Sequence, residues 1–266
     1  MAKGSNRYAK IIEKIFLAHF KRGMKSFEFE RNEIKKVADE LGIDVPKNIG
    51  DLIYSFRYRA NLPEAVQKQT PKDKEWVIIG TGASKYRFEL RKQSNFEPNP
   101  ALAETKVPDA TPGIVSMYAL SDEQALLAKI RYNRLIDIFT AVTCYSIQNH
   151  LRTQVKGVGQ VETDEIYIGI DRRGAHYVVP VQAKGGTDRL GVIQIEQDMA
   201  MCKEKFPALI CRPIAAQFMV DGKIALFEFE DGKSGIKIAR EKHYLLVPSE
   251  EIEETELISY ANRVDD

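Results

Sequence analysis

Residues 161–184, VETDEIYIGIDRRGAHYVVPVQAK, constrain how this chain can fold more than any other stretch. Ile166, Ile168 and Ile170 alternate with the period of a strand. Tyr177-Val178-Val179-Pro180-Val181 then forms a nearly continuous apolar run, as expected of a strand inside a buried sheet. Between them, Arg172-Arg173-Gly174 suits a three-residue hairpin loop closed by Gly174 in the left-handed conformation. A loop of that length pairs Asp171 with Ala175. Counting back along both strands sets Asp164 opposite Gln182 and Glu162 opposite Lys184. Opposed residues share a face, and so do residues two apart on one strand. Glu162, Asp164, Gln182 and Lys184 are therefore expected to form one polar cluster, with Glu165 on the other face. A two- or four-residue loop would move Asp164 to the opposite side.

Packing alone would not choose acids, an amide and a lysine at one edge of a core sheet. The pattern resembles the PD-(D/E)XK nuclease superfamily, which has an acid at the start of one core strand, then a second acid, any residue and a lysine on the next. Asp164 matches the first acid and Lys184 the lysine, while Gln182 departs from the pattern and gives Gln-Ala-Lys. The resemblance implies a restriction-endonuclease-like mixed sheet flanked by helices. It also implies hydrolysis of DNA phosphodiesters with Mg²⁺ as cofactor and Mn²⁺ as its substitute.

On that resemblance Asp164 is the main metal ligand. Gln182 coordinates through its side-chain carbonyl without bringing charge, and Glu162 restores the missing charge directly or through a metal-bound water. Lys184 orients the attacking water and counters charge near the phosphate. The structural alternative has Lys184 capping its strand and pairing with Glu162. If Glu162 does compensate for the amide, Gln182→Glu retains cutting and Glu162→Gln impairs it.

Beyond the hairpin, Gly185-Gly186 ends the strand, and Thr187 or Asp188 is expected to cap a helix running to about Lys205. Gln194 and Gln197 in its first turns either touch metal-bound water or DNA, or are plain surface residues. Strands are expected to return at 209–218 and 224–230. Upstream, residues 121–153 read as one long helix, opened by a Ser121/Gln124 capping box with Asp122 and Glu123 in its first turn. The superfamily often carries another acid on this helix. Asp137, among apolar neighbours, is the candidate, and its alternative is a pair with Arg134 or Arg131.

The first 92 residues read as a separate module. Helices are expected at 8–20, 33–41 and 48–58, a strand at 26–30, and a hairpin of 75–79 with 86–90 around Gly80-Thr81-Gly82. That order resembles the winged helix, a helix-turn-helix variant used mostly on DNA. The resemblance implies a third helix in the major groove offering Lys47, Asn48, Tyr54, Ser55, Arg57 and Arg59, and a wing offering Lys85 and Arg87. Winged helices also mediate protein contacts. Charge favours double-stranded DNA: residues 1–95 hold twenty Lys/Arg against twelve Asp/Glu. Residues 249–266 hold seven acids against Arg263, so the overall +1 hides a basic module and an acidic tail.

The expected class is thus α/β (α+β). It comprises a winged helix over 1–92, a linker over 93–120 marked by Pro98, Pro100, Pro108 and Pro112, a nuclease domain over 121–248 and an acidic tail over 249–266. No stretch reads as a membrane span or signal peptide. Cys144, Cys202 and Cys211 lack metal spacing and suit reduced thiols in a cytoplasmic protein; His19, His150, His176 and His243 are scattered. The expected function is a type II restriction enzyme acting as a homodimer on DNA, with a companion DNA methyltransferase. The alternatives are a repair or anti-phage nuclease reading DNA structure, and a non-catalytic DNA-binding regulator that keeps a nuclease-like domain.

Overall fold

The computed structural model describes residues 5–46, 49–58, 60–82, 84–92, 95–118, 123–185, 190–232 and 235–263. It divides into two compact units, residues 1–95 with 154–160, and residues 96–153 with 161–266. Both helices and mixed sheets are well represented, as the α+β reading requires.

The N-terminal unit runs α1 (Ser5–His19), β1 (Ser26–Glu30), α2 (Arg31–Leu41), α3 (Ile49–Tyr58), α4 (Glu64–Gln67), β2 (Lys74–Gly82) and β3 (Lys85–Lys92). Its strands pair antiparallel in the order β1-β3-β2. α2 starts where Glu30 and Glu33 cap each other's backbone N–H groups, and it stops at Gly42, whose φ of 62° suits a residue without Cβ. The core is aromatic: the Phe16 ring meets Trp76 and Phe88 edge-on, each at 5.2 Å. Gly80 is required by close approach, because a Cβ there would lie 2.5 Å from the Val158 carbonyl oxygen.

The second unit contributes β4 (Asn95–Phe96), β5 (Glu104–Pro108), α5 (Gly113–Tyr118), α6 (Glu123–Tyr132), α7 (Leu135–Thr140), β6 (Thr143–Val155), β7 (Gly159–Ile170) and β8 (His176–Lys184). It continues with β9 (Leu190–Gly191), α8 (Val192–Lys205), β10 (Ile210–Cys211), β11 (Ile214–Phe218), β12 (Ile224–Gly232), β13 (Gly235–Val247) and α9 (Glu254–Ala261). The main sheet has the order β5-β13-β12-β11-β8-β7-β6, with β10 also beside β8. β8 and β7 are antiparallel, and β11 runs parallel to β8 after the crossover through α8. One face packs on α6 and α7 through Leu126, Ile130, Phe139, Val181 and Ala183. The other packs Ile195 of α8 against Ala215 and Phe227.

The turn reads as the sequence suggests. Gly174 has φ 80°, the Asp171 N–H donates to the Ala175 carbonyl at 3.1 Å, and Ile170 faces His176. Other expectations are corrected. The long helix over 121–153 is two short helices, because Arg134 and Ala141 adopt left-handed backbone conformations that break it. Residues 143–155 are instead strand β6, which lies against Gly169, where a Cβ would come within 2.6 Å of Val142 Cγ1. The helix after the hairpin starts at Val192 behind Gly191, and the caps expected at Thr187 and Asp188 fall outside the described residues, as do Ser121 and Asp122.

The linker is not merely draped chain. β5 joins the sheet edge parallel to β13, with Pro108 in its last position, where a missing N–H costs no ladder bond. Asn133 then ties the following segment by donating to Asp109, Thr111 and Lys129. The acidic tail also folds. Glu253 and Glu256 form the capping box of α9, Lys106 pairs with Glu256 at 3.0 Å, and the Lys106 N–H donates to Tyr260 Oη. No helix among the described residues is long and apolar enough to cross a membrane.

Candidate active site

β8 lies between β11 and β7, with β7 next to the edge strand β6, and the β7–β8 ladder ends at Glu165 opposite Val181. Beyond that pair side chains replace the backbone bonds. The Ala183 N–H donates to the Asp164 carboxylate at 2.8 Å, and Gln182 Nε2 donates to the Glu162 carbonyl at 3.2 Å. Glu165 faces α6 and β6, where Arg131 Nε donates to it at 2.9 Å and the Ser146 hydroxyl donates as well. Thr163, two residues away, faces α8 instead and donates to Asp198 Oδ1 at 2.5 Å. Residues two apart on a regular strand share a face, so β7 turns over at Asp164.

Lys184 ends β8, Asp164 sits just past the last β7–β8 ladder pair, and a third side chain joins them from α6. Lys184 Nζ donates to Glu123 Oε1 at 3.3 Å. Burial pushes the Asp164 carboxyl above its ordinary value. The Ala183 N–H and the Lys184 charge oppose the shift, while the Glu123 charge adds to it. The expected helix acid, Asp137, lies elsewhere. It accepts from the Arg134 guanidinium and from the Cys144 N–H at 2.9 Å, which pins α7 to β6. Glu123 resembles an ordinary first-turn acid in the sequence, so its position ahead of the strands was its only signal.

Gln182 is buried and committed on its polar atoms. Nε2 donates to Asp198 Oδ2 at 2.8 Å as well as to Glu162, and Oε1 accepts from Gln194 Nε2 at 3.2 Å. Gln194 and Gln197 are accordingly buried and are not surface glutamines. Asp198, which sequence reasoning missed, is fully enclosed, and burial pushes its carboxyl up to about 7. The donors Thr163 and Gln182 oppose that shift and the Asp164 charge supports it. The expected juxtaposition of Glu162 with Lys184 does not occur. The Glu162 carboxylate pairs with Arg152 at 3.0 Å, because β7 has left its regular alternation by that point. The Gln124 amide donates to His150 Nε2 at 2.9 Å. His176 stands at the far end of β8, opposite Ile170.

Among the described residues no three His, Cys, Asp or Glu side chains are grouped to hold a metal by themselves. Asp164 and Glu123 nevertheless supply hard oxygen donors of the kind Mg²⁺ prefers. This ion usually keeps several waters and takes only one or two carboxylates from the protein. A buried carboxyl whose proton affinity is raised beside a second acid is a place where a cation can substitute for the proton. The donor set therefore fits a largely hydrated divalent cation.

Lys47, Asn48 and Arg59, expected on the DNA-reading helix, lie outside the described residues. α3 buries Leu52, Ile53 and Phe56, leaving Tyr54 and Ser55 half-buried, and the Nε and Nη2 atoms of Arg57 are enclosed. Lys85 faces Glu30 across the sheet and Arg87 pairs with Glu28 at 2.7 Å. Scans against protein-family models, curated proteins and solved structures return no match to this chain.

Proposed function

We propose that this chain is a Mg²⁺-dependent DNA endonuclease that hydrolyses phosphodiester bonds, a type II restriction enzyme reading a short sequence. Asp164, Lys184 and Glu123 carry the reading: an acid where one strand stops pairing with its neighbour, a lysine at the end of that neighbour and a helix acid on that lysine. The N-terminal order of helix, strand, two helices and hairpin, with strand order β1-β3-β2, supports a winged-helix reader.

In this mechanism Asp164 and Glu123 would hold the cation, with Mn²⁺ able to replace Mg²⁺. The bound ion supplies Lewis-acid stabilisation of the charge that develops on the phosphate. Lys184, held by Glu123, would orient the attacking water and offset charge on the phosphate oxygens. A water oxygen forms the new bond to phosphorus and gives up its proton to solvent, while the bond to the departing sugar oxygen breaks and that oxygen takes a proton from solvent. The Ala183 N–H holds Asp164 Oδ2, leaving Oδ1 as the oxygen that would bind the cation. Gln182 ties β8 to Asp198 and Gln194, a holding role in place of coordination. Cutting both strands of a palindrome calls for a homodimer, since one such site cuts one strand at a time.

Incubating the purified full chain with plasmid and Mg²⁺ tests this reading. Discrete fragments support a restriction enzyme, and a neighbouring DNA methyltransferase gene would agree with it. A smear indicates a repair or anti-phage nuclease guided by DNA structure. Intact DNA with Mg²⁺, Mn²⁺ and other divalent ions would overturn the enzyme in favour of a DNA-binding regulator.

A further inference from the structure

The two ends of the N-terminal sheet differ sharply in charge. At the end where β2 and β3 turn, acids accompany the cations: Arg87 pairs with Glu28, and Lys85 stands opposite Glu30. The other end lies seven residues further along β3, roughly 23 Å away at the rise of a strand. There Lys74 and Lys92 are directly opposed across β2 and β3. The Lys25 carbonyl accepts from the Leu90 N–H at 2.8 Å, which brings the α1–β1 connection to the same edge. That connection also carries Lys21 and Arg22, and it follows Phe20, whose ring lies 5.8 Å from Trp76, two residues from Lys74.

Lys21, Arg22, Lys25, Lys72, Lys74 and Lys92 are all exposed. Among the described residues the side chains of Lys21, Arg22, Lys25, Lys72 and Lys74 enter no ion pair. Asp73 and Glu75 are the acids interleaved with them, too few to balance the cluster. Flexible ammonium groups spread over strand ends and a loop make a poor pocket for one small anion, but they suit a regular row of phosphates.

We propose that this lysine-rich end of the sheet is a second DNA-contacting surface, one that grips the phosphodiester backbone of a duplex without reading bases. The inference rests on DNA being the partner. It shifts much of the electrostatic hold from the wing, where charges are already compensated, to the opposite sheet edge. Sequence reading is left to the helix residues, and the lysine edge sets register and affinity.

Binding of the full chain to a fluorescent duplex in EDTA, where no metal-dependent cutting occurs, tests the inference across a salt series. Lys25→Glu/Lys72→Glu/Lys74→Glu is compared with Lys10→Glu/Lys35→Glu/Lys36→Glu, an equal charge change on exposed helix positions. The expected result is at least a tenfold loss of affinity in the edge variant only. The slope of log affinity against log salt should flatten by about 2.7, as expected when three phosphate contacts are lost. Equal affinity of the edge variant and the wild type overturns the inference, as does an equal loss in both variants. Failure of the wild type to bind duplex at all overturns the DNA reading itself, and near-complete melting of the edge variant is excluded by its thermal unfolding profile.

Discussion

Lys184 on β8 donates to Glu123 at the start of α6 across 3.3 Å, joining two elements 61 residues apart in the chain. The contact holds a flexible ammonium at the point where Asp164 ends the β7 ladder. Glu123→Gln should keep a hydrogen-bond acceptor but remove the charge that orients the lysine. A loss of about 100-fold or more in cleavage rate is expected, because the variant weakens both the proposed cation site and the hold on Lys184. Stability should change by less than about 1 kcal/mol, because Glu123 is partly exposed. Asp137→Ala should do the opposite: cleavage stays near normal, and denaturant unfolding reports a loss of about 1–3 kcal/mol from the orphaned Cys144 N–H.

The Gln182 network reverses an expectation drawn from the sequence. Compensation by Glu162 would make Gln182→Glu harmless and Glu162→Gln damaging. With Gln182 donating to Asp198, a glutamate there would instead bury two carboxylates against each other. Gln182→Glu should lower stability by about 2–4 kcal/mol at alkaline pH, and less in acid, where the pair can share a proton. Glu162→Gln disrupts only a pair with the exposed Arg152, so both unfolding and cleavage should stay close to wild type. Chemical denaturation of the two variants at acid and alkaline pH checks both statements.

Asp198 should leave its mark on the pH dependence of stability. Its carboxyl is raised from 3.8 to about 7 in the folded chain, so between these values the folded state binds a proton that the unfolded state has lost. The group's contribution is complete below its unfolded value and is lost as pH rises through about 7, at roughly 1.4 kcal/mol per pH unit. Asp198→Asn can still accept from Gln182 and donate to the Thr163 hydroxyl oxygen. It should flatten the curve of Tm against pH over about pH 4 to 7, and a variant that keeps the wild-type slope would assign that proton to another group.

The hairpin was legible because one glycine fixed it. Gly174 set the loop length, the loop set the register, and the register put Asp164 and Lys184 at the same sheet end. Glu162 was misread because period-two counting assumes a regular strand, and β7 turns over where the Asp164 side chain takes the place of a ladder bond. Asp198 was invisible for a related reason. A single acid on a helix reads as solvent-facing until tertiary packing encloses it against Thr163 and Gln182. β6 read as helix because its outward side is polar and irregular at the sheet edge, and β5 hid among prolines that an edge strand tolerates.

Single-turnover cleavage of plasmid DNA in Mg²⁺ by the wild type, Asp164→Asn and Lys184→Ala tests the site most directly. With all three proteins folded to equal Tm, the wild type should cut, and each variant should lose about 10³-fold or more in rate. Wild-type rates in both variants would contradict a reaction centred on Asp164 and Lys184.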